Sequence, residues 1–277
     1  RGGGMEIIMD NRSIGIFDSG LGGLTAVKEI MDIMPNENLI YFGDTGRVPY
    51  GTRSEQTIIK YVEGDINFLS SFDVKAIVIA CGTASSIALS YACEKYDFPI
   101  MGVVDPASKM AAEATKNGRI GVIGTPTTIK SDKYRQALLK INGGLFVESV
   151  PCRLFVPLVE GGYINHEATR IIAAEYLAPL KKDGIDTLIL GCTHYPLLKD
   201  VINEFFEGKV TLIDSGFAAG VYLDKFLKDN NMQNDRNHKG EYKFYVSDSV
   251  QGFEKLGGMF LNKEIAGATE KIDIEKY

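Results

Sequence analysis

Short apolar runs that end at a small or polar residue alternate along the chain with longer stretches whose apolar side chains recur every three or four positions. The first pattern predicts buried strands and the second amphipathic helices. Ser13 to Phe17 reads as a strand; Leu24, Val27, Ile30, Met31 and Met34 then mark a helix that stops at Pro35. Asn38 to Phe42 is a second strand, Gly43 to Gly51 a turn-rich loop, and Ser54 begins another helix. Residues 76–80 and Pro99 to Val104 supply two more strands.

The alternation then restarts. Arg119 to Ile123 predicts a strand, Gly124 to Thr128 a hydroxyl-rich loop, and Ser131 to Lys140 a helix. Strands at Leu145 to Val150 and Thr187 to Leu190 flank a helix at His166 to Leu180. Lys209 to Ile213 is a short strand, Phe217 to Leu227 a helix, residues 230–237 a polar loop, and Glu241 to Val246 a late strand at a sheet edge. This alternation argues for an α/β protein with mostly parallel sheets covered by helices on both faces. Asp105-Pro106 and Asp214-Ser215-Gly216 mark places where the chain crosses between two units, which a length of 277 residues accommodates.

Composition narrows the classes of function. Hydrophobic residues at 45% and charged residues at 24% give the balance of a soluble globular protein. A net charge of −6 argues against nucleic acid or an anionic membrane surface as the main partner. No apolar run approaches membrane-spanning length. Four cysteines at 81, 93, 152 and 192, without a CxxC pair, suggest neither a disulfide scaffold nor a zinc site and fit a reducing compartment. A cytoplasmic protein is therefore expected, with Arg1 to Glu6 resembling a tag remnant and residues 1–11 set apart as remnant and leader.

Two stretches share one grammar. In Leu188-Ile189-Leu190-Gly191-Cys192-Thr193-His194-Tyr195-Pro196 an apolar strand breaks at a glycine, and a thiol, a hydroxyl and an imidazole follow. Lys75-Ala76-Ile77-Val78-Ile79-Ala80-Cys81-Gly82-Thr83-Ala84 repeats the order of strand, small residue, cysteine, hydroxyl and helix. The carboxyl end of a strand feeding a helix is where ligands collect in open α/β sheets, and helix-start N–H groups favour an anion. Two thiols on such turns, 111 positions apart (192 − 81), can face each other across one cleft and move a proton from one face of a carbon to the other.

Other candidates gather around this pair. Asp18 and Ser19 end the first strand, where the alternative is a plain helix cap. His194 can assist Cys192 as a general acid or by stabilising its thiolate, or be a satisfied turn histidine. Thr83, Thr125, Thr128 and Thr193 would make a neutral, donor-rich pocket for carboxylates. Cys93 and Cys152 lack such context and read as inert. Gly20-Leu21-Gly22-Gly23 lacks the spacing of a nucleotide loop, and with three histidines and no suitably spaced partner a metal site is not expected.

On these residues the chain resembles the glutamate racemases, of the cofactor-independent amino-acid racemase family. Gly15 to Gly23, Asp44-Thr45-Gly46-Arg47-Val48-Pro49-Tyr50-Gly51, Cys81 to Ser85 and Gly191 to Pro196 carry the likeness, which runs from Arg12 to Phe260. The resemblance implies two α/β lobes, 12–104 completed by 215–277 and 105–214, with the site between them. It implies interconversion of L- and D-glutamate for peptidoglycan, without cofactor or metal, in a homodimer. By that pattern Cys192 takes the α-proton of L-glutamate and Cys81 returns one on the other face. Asp18 and His194 assist the thiols, while Ser19, Pro49, Tyr50, Gly51, Gly82, Thr83, Thr125, Thr128 and Thr193 line the substrate site with them, and Glu160 is a further candidate. The family's asparagine after the first cysteine is here Gly82, which removes a side-chain amide from the substrate's surroundings. The competing readings are an aspartate or other acidic amino-acid racemase, a cysteine hydrolase using Cys192 and His194, and a silent acidic-ligand binding protein.

Overall fold

The computed structural model describes residues 10–262, 265 and 267–277; most of the tag-like leader, residues 1–9, lies outside the described residues. One sheet holds β1 (Ile14–Asp18), β2 (Leu39–Gly43), β3 (Ala76–Ile79), β4 (Ile100–Gly102), and, from much later in the chain, β9 (Tyr242–Val246) and β10 (Thr269–Lys271). Its order is β10-β9-β2-β1-β3-β4. The second sheet, in the order β6-β5-β7-β8, holds β5 (Arg119–Gly124), β6 (Phe146–Pro151), β7 (Thr187–Leu190) and β8 (Thr211–Asp214). Every pairing is parallel.

Parallel sheets are covered on both faces, which is why their strands read as apolar runs rather than alternations. β1, β2 and β3 are buried at every residue. Ile14 and Ile16 point to the side of α1 (Leu24–Ile33), whereas Phe17 packs on the other side with Ile58, Val62 and Ile66 of α2 (Glu55–Ser70) and Ala84 and Ala88 of α3 (Gly82–Lys95). In the second sheet Ile120, Val122 and Ile189 meet Ala107 and Ala111 of α4 (Val104–Ala114). α5 (Pro126–Lys130) follows β5, and Leu138 of α6 (Lys133–Ile141) joins that core. The opposite face packs on α7 (Phe155–Glu160), α8 (Glu167–Lys182) and α9 (Lys199–Phe205).

Helix α10 (Ser215–Asp229) begins directly after β8, where Asp214 accepts the N–H groups of Gly216 and Phe217 at 2.9 and 3.1 Å. That cap satisfies helix-start donors at the point where the chain leaves the second sheet. Helix α10 and α11 (Val250–Leu261) then return to α1. None of the described helices is long and apolar enough to cross a membrane.

The structure departs from the sequence pattern in four places. The late strand is internal, because the short, charged β10 pairs beyond it and takes the edge. The hydroxyl-rich loop is shorter than expected: Thr125 caps α5, with Pro126 in its first turn, where proline lacks no needed N–H. Val104 opens α4 rather than ending a strand, again with a proline, Pro106, in the first turn. Helix α11 carries Gly252, Gly257 and Gly258, residues of poor helix propensity, and forms through Phe253, Phe260 and Leu261 in the core.

Candidate active site

The carboxyl ends of β1 and β3 face those of β5 and β7 across a cavity of about 340 Å³. Ser19, Pro49, Tyr50, Gly51, Cys81, Gly82 and Thr83 border it from the first sheet, and Thr125, Glu160, Cys192, Thr193 and His194 from the second. Asp18 and Thr128 stand behind this wall. The sequence pattern missed Val48, Pro126, Cys152, Arg153, Val156 and Pro157, which also line the cavity. Four of these, Cys152, Arg153, Val156 and Pro157, come from the segment before α7 and from its first turn, too short and proline-interrupted to announce itself by periodicity.

Each thiol sits at a chain turn. Cys81 caps α3, its Sγ accepting the Ala84 N–H at 3.4 Å and lying 3.6 Å from Ser19 Oγ. Burial pushes its pKa up to about 12, aided by the nearby Asp18 and opposed by the Ala84 and Ser19 contacts. Burial also raises Cys192, opposed by the backbone N–H of His194. Both groups are therefore thiols at neutral pH. Cys192 Sγ lies 3.9 Å from Nδ1 of His194, whose Nε2 is 2.9 Å from Glu160 Oε1. With its proton on Nε2, the imidazole donates to Glu160 and turns a lone pair toward the thiol. The ring stands edge-on to Phe260 of α11 at 5.4 Å.

Asp18 ties the two halves together. One carboxylate oxygen accepts the Gly20 N–H at 3.1 Å and the other lies 3.3 Å from the Thr193 hydroxyl. Burial raises its pKa, opposed chiefly by His194 and by the N–H groups of Gly23 and Gly20. Gly22 is required here, because a Cβ would sit 2.2 Å from Thr193 Oγ1 and 2.5 Å from His194 Nδ1. Gly82 makes the same kind of approach, its missing Cβ leaving room for the Gly191 carbonyl only 2.2 Å away. Thr25 donates to Thr193 O at 2.9 Å, and Thr127 to Gly51 O at 2.6 Å.

The hydroxyls of Thr83, Thr125 and Thr128 form a triangle with sides of 2.9, 3.2 and 3.0 Å. Their protons rotate freely, so the group can donate to an anion placed against Thr83 and Thr125. Tyr50 behaves differently. Its hydroxyl points away from the cavity and lies between Asp44, to which it donates, and Asp65; Arg47 bridges the two carboxyl groups at 2.7 and 2.6 Å. Burial beside Asp44 raises Asp65 well above the carboxylate range. The buried network braces the loop that presents Pro49 and Gly51.

The raised thiols have a consequence for stability. Cys81 ionises near its ordinary value of 9.0 when unfolded but only near about 12 when folded. Above the lower value the unfolded chain binds fewer protons, so stability falls as pH rises through that window. The urea midpoint is expected to drop between about pH 8 and about pH 10.5; an unchanged midpoint would contradict the burial of these groups.

Two thiols presented from opposed sheet edges to one cavity define a class of α/β protein built for acid–base work on both faces of a small ligand. The family model for Asp/Glu/Hydantoin racemase matches residues 27–222, and the chain belongs to that family. It is 47% identical to the glutamate racemase of Persephonella marina over 95% of this chain and 98% of that protein. Identity to the glutamate racemase of Geobacter metallireducens is 42%, over 95% and 97% of the two chains. Its fold is similar to the crystal structure of Francisella tularensis glutamate racemase in complex with D-glutamate, with a TM-score of 0.90 and 40% identity over 97% of this chain and 100% of that one.

Proposed function

We propose that the protein interconverts L- and D-glutamate by transferring the α-proton between two thiols, supplying D-glutamate for peptidoglycan. The observation that carries this reading is the presence of Cys81, which follows β3 of the first sheet, and Cys192, which follows β7 of the second, in the lining of one cavity. In the direction from L-glutamate, Cys192 first loses its proton to solvent as substrate enters. The thiolate then takes the α-proton and Cys81 delivers its own to the opposite face, leaving a Cys192 thiol and a Cys81 thiolate. The substrate ammonium offsets the cost of holding a thiolate in a buried site. Hydroxyls of the threonine triangle and helix-start N–H groups take up charge that develops on the α-carboxylate. Asp18 and His194 act through the thiol turns they hold.

Proton NMR of L-glutamate with the reduced protein in D₂O, followed by chiral separation, tests the reading. Loss of the α-proton signal with accumulation of D-glutamate supports it, and an unchanged signal overturns it. Glu160→Gln weakens the orientation of His194 and is expected to lower kcat on the order of tenfold with little change in KM, less than the roughly hundredfold or more of a group that transfers the proton itself. An unaltered kcat would remove Glu160 from the machinery.

The lobes of this reading are 12–104 with 215–277, and 105–214. The protein acts in the cytoplasm as a homodimer; free thiols at Cys81, Cys93, Cys152 and Cys192 support the reducing compartment.

A further inference from the structure

The cavity that would receive glutamate is nearly free of net charge. Among the described residues Glu160 is its one acidic wall residue and faces His194, while burial keeps both thiols protonated. The chain as a whole carries −6 and repels an anion at a distance, a field screened beyond roughly 8 Å at physiological ionic strength. Glutamate brings two carboxylates and one ammonium. The threonine hydroxyls offer one carboxylate a partner on the inner wall, which leaves the other in want of a cation.

Arg153 is that cation. It follows Cys152 between β6 and α7, borders the cavity and is also exposed to solvent, which places it at the mouth. No carboxylate lies within ion-pair distance of it among the described residues. Among the described residues no other lysine or arginine borders the cavity. A guanidinium stays charged at any relevant pH and can grip a carboxylate with two parallel N–H donors. Building on the racemase reading, we infer that Arg153 draws the substrate into the cavity and holds the carboxylate nearest its mouth. Arg153 is thus a positioning and specificity residue that favours glutamate over its neutral amide, glutamine, without touching the proton in flight.

The test is steady-state racemisation of glutamate by Arg153→Ala and Arg153→Lys across a salt series. Arg153→Ala is expected to raise KM on the order of tenfold, to leave kcat within about twofold, and to flatten the salt dependence of kcat/KM. Arg153→Lys keeps the charge without the fork and should retain the salt dependence at an intermediate KM. Unchanged KM and salt dependence in Arg153→Ala would overturn the inference, as would a fall in kcat alone. If the parent protein does not racemise glutamate, the proposed activity fails by itself, and calorimetric titration with glutamate and glutamine decides the role of Arg153. Weaker glutamate binding by the alanine variant, with the preference over glutamine reduced, supports it. Equal binding by both proteins, or binding by neither, overturns it.

Discussion

Cys81→Ala is expected to end formation of D-glutamate, with a loss on the order of 10⁴-fold in rate, while the α-proton of L-glutamate still exchanges with solvent deuterium. Cys192 remains able to take that proton and, once its own hydrogen has exchanged, return deuterium to the same face. Washout without inversion is the signature of a missing second thiol. Cys192→Ala should show the mirror image, with washout from D-glutamate alone. A cysteine hydrolase built on Cys192 and His194 would instead keep its turnover after loss of Cys81, so survival of full activity in that variant would sink the two-thiol mechanism. Because Cys81 also caps α3, its removal carries a stability cost of about 1 kcal/mol. Cys81→Ser supplies a control that restores a capping oxygen but not an acid of comparable strength.

Gly82→Ala is expected to be damaging as well, to a smaller degree, for a reason of geometry rather than chemistry. The added Cβ would fall 2.2 Å from the Gly191 carbonyl oxygen, and that residue cannot yield cheaply because its own N–H, in the preceding peptide, is bonded to Ile123 O at 2.8 Å. The turn carrying Cys81 and the turn carrying Cys192 must separate. Displacement of reacting groups by about 1 Å costs on the order of 10²-fold in rate. The same clash applies to asparagine, so restoring the residue that the resemblance leads one to expect should lower kcat/KM rather than raise it. Wild-type kcat/KM in both variants would show that the two turns do not approach this closely in solution.

Much of this site could be read from the chain because its chemistry sits where periodicity changes. Cys81 and Cys192 each follow an apolar strand and precede a helical pattern, and Asp18 ends β1 in the same way. Residues of that kind announce both their element and their sheet edge. Other features depend on partners remote in sequence. Tyr50 borders the cavity, and its hydroxyl contacts Asp65 from the middle of α2, a pairing that no local pattern encodes. Arg153 reaches the cavity just before α7 and Val156 from within it, a helix six residues long with a proline inside. Thr128 stands off the cavity wall and meets it through the hydroxyls of Thr83 and Thr125, the first of them a contact across 45 positions that no local pattern encodes. β10 consists of Thr269, Glu270 and Lys271, and only its register beside β9 makes it a strand.

The strand order also fixes a sequence of events during synthesis. β2 lies between β1 and β9, so Leu39 waits for Tyr242, a partner 203 positions later (242 − 39). The second sheet draws all its strands from residues 119–214 and is complete before β9 leaves the ribosome. Long-range parallel pairing of this kind is intrinsically slow. The nascent chain therefore exposes the β9-facing edge of β2, with its unpaired N–H and C=O groups, while the inserted sheet is already closed. Misassembly during biosynthesis is expected to concentrate on that edge rather than on either thiol turn.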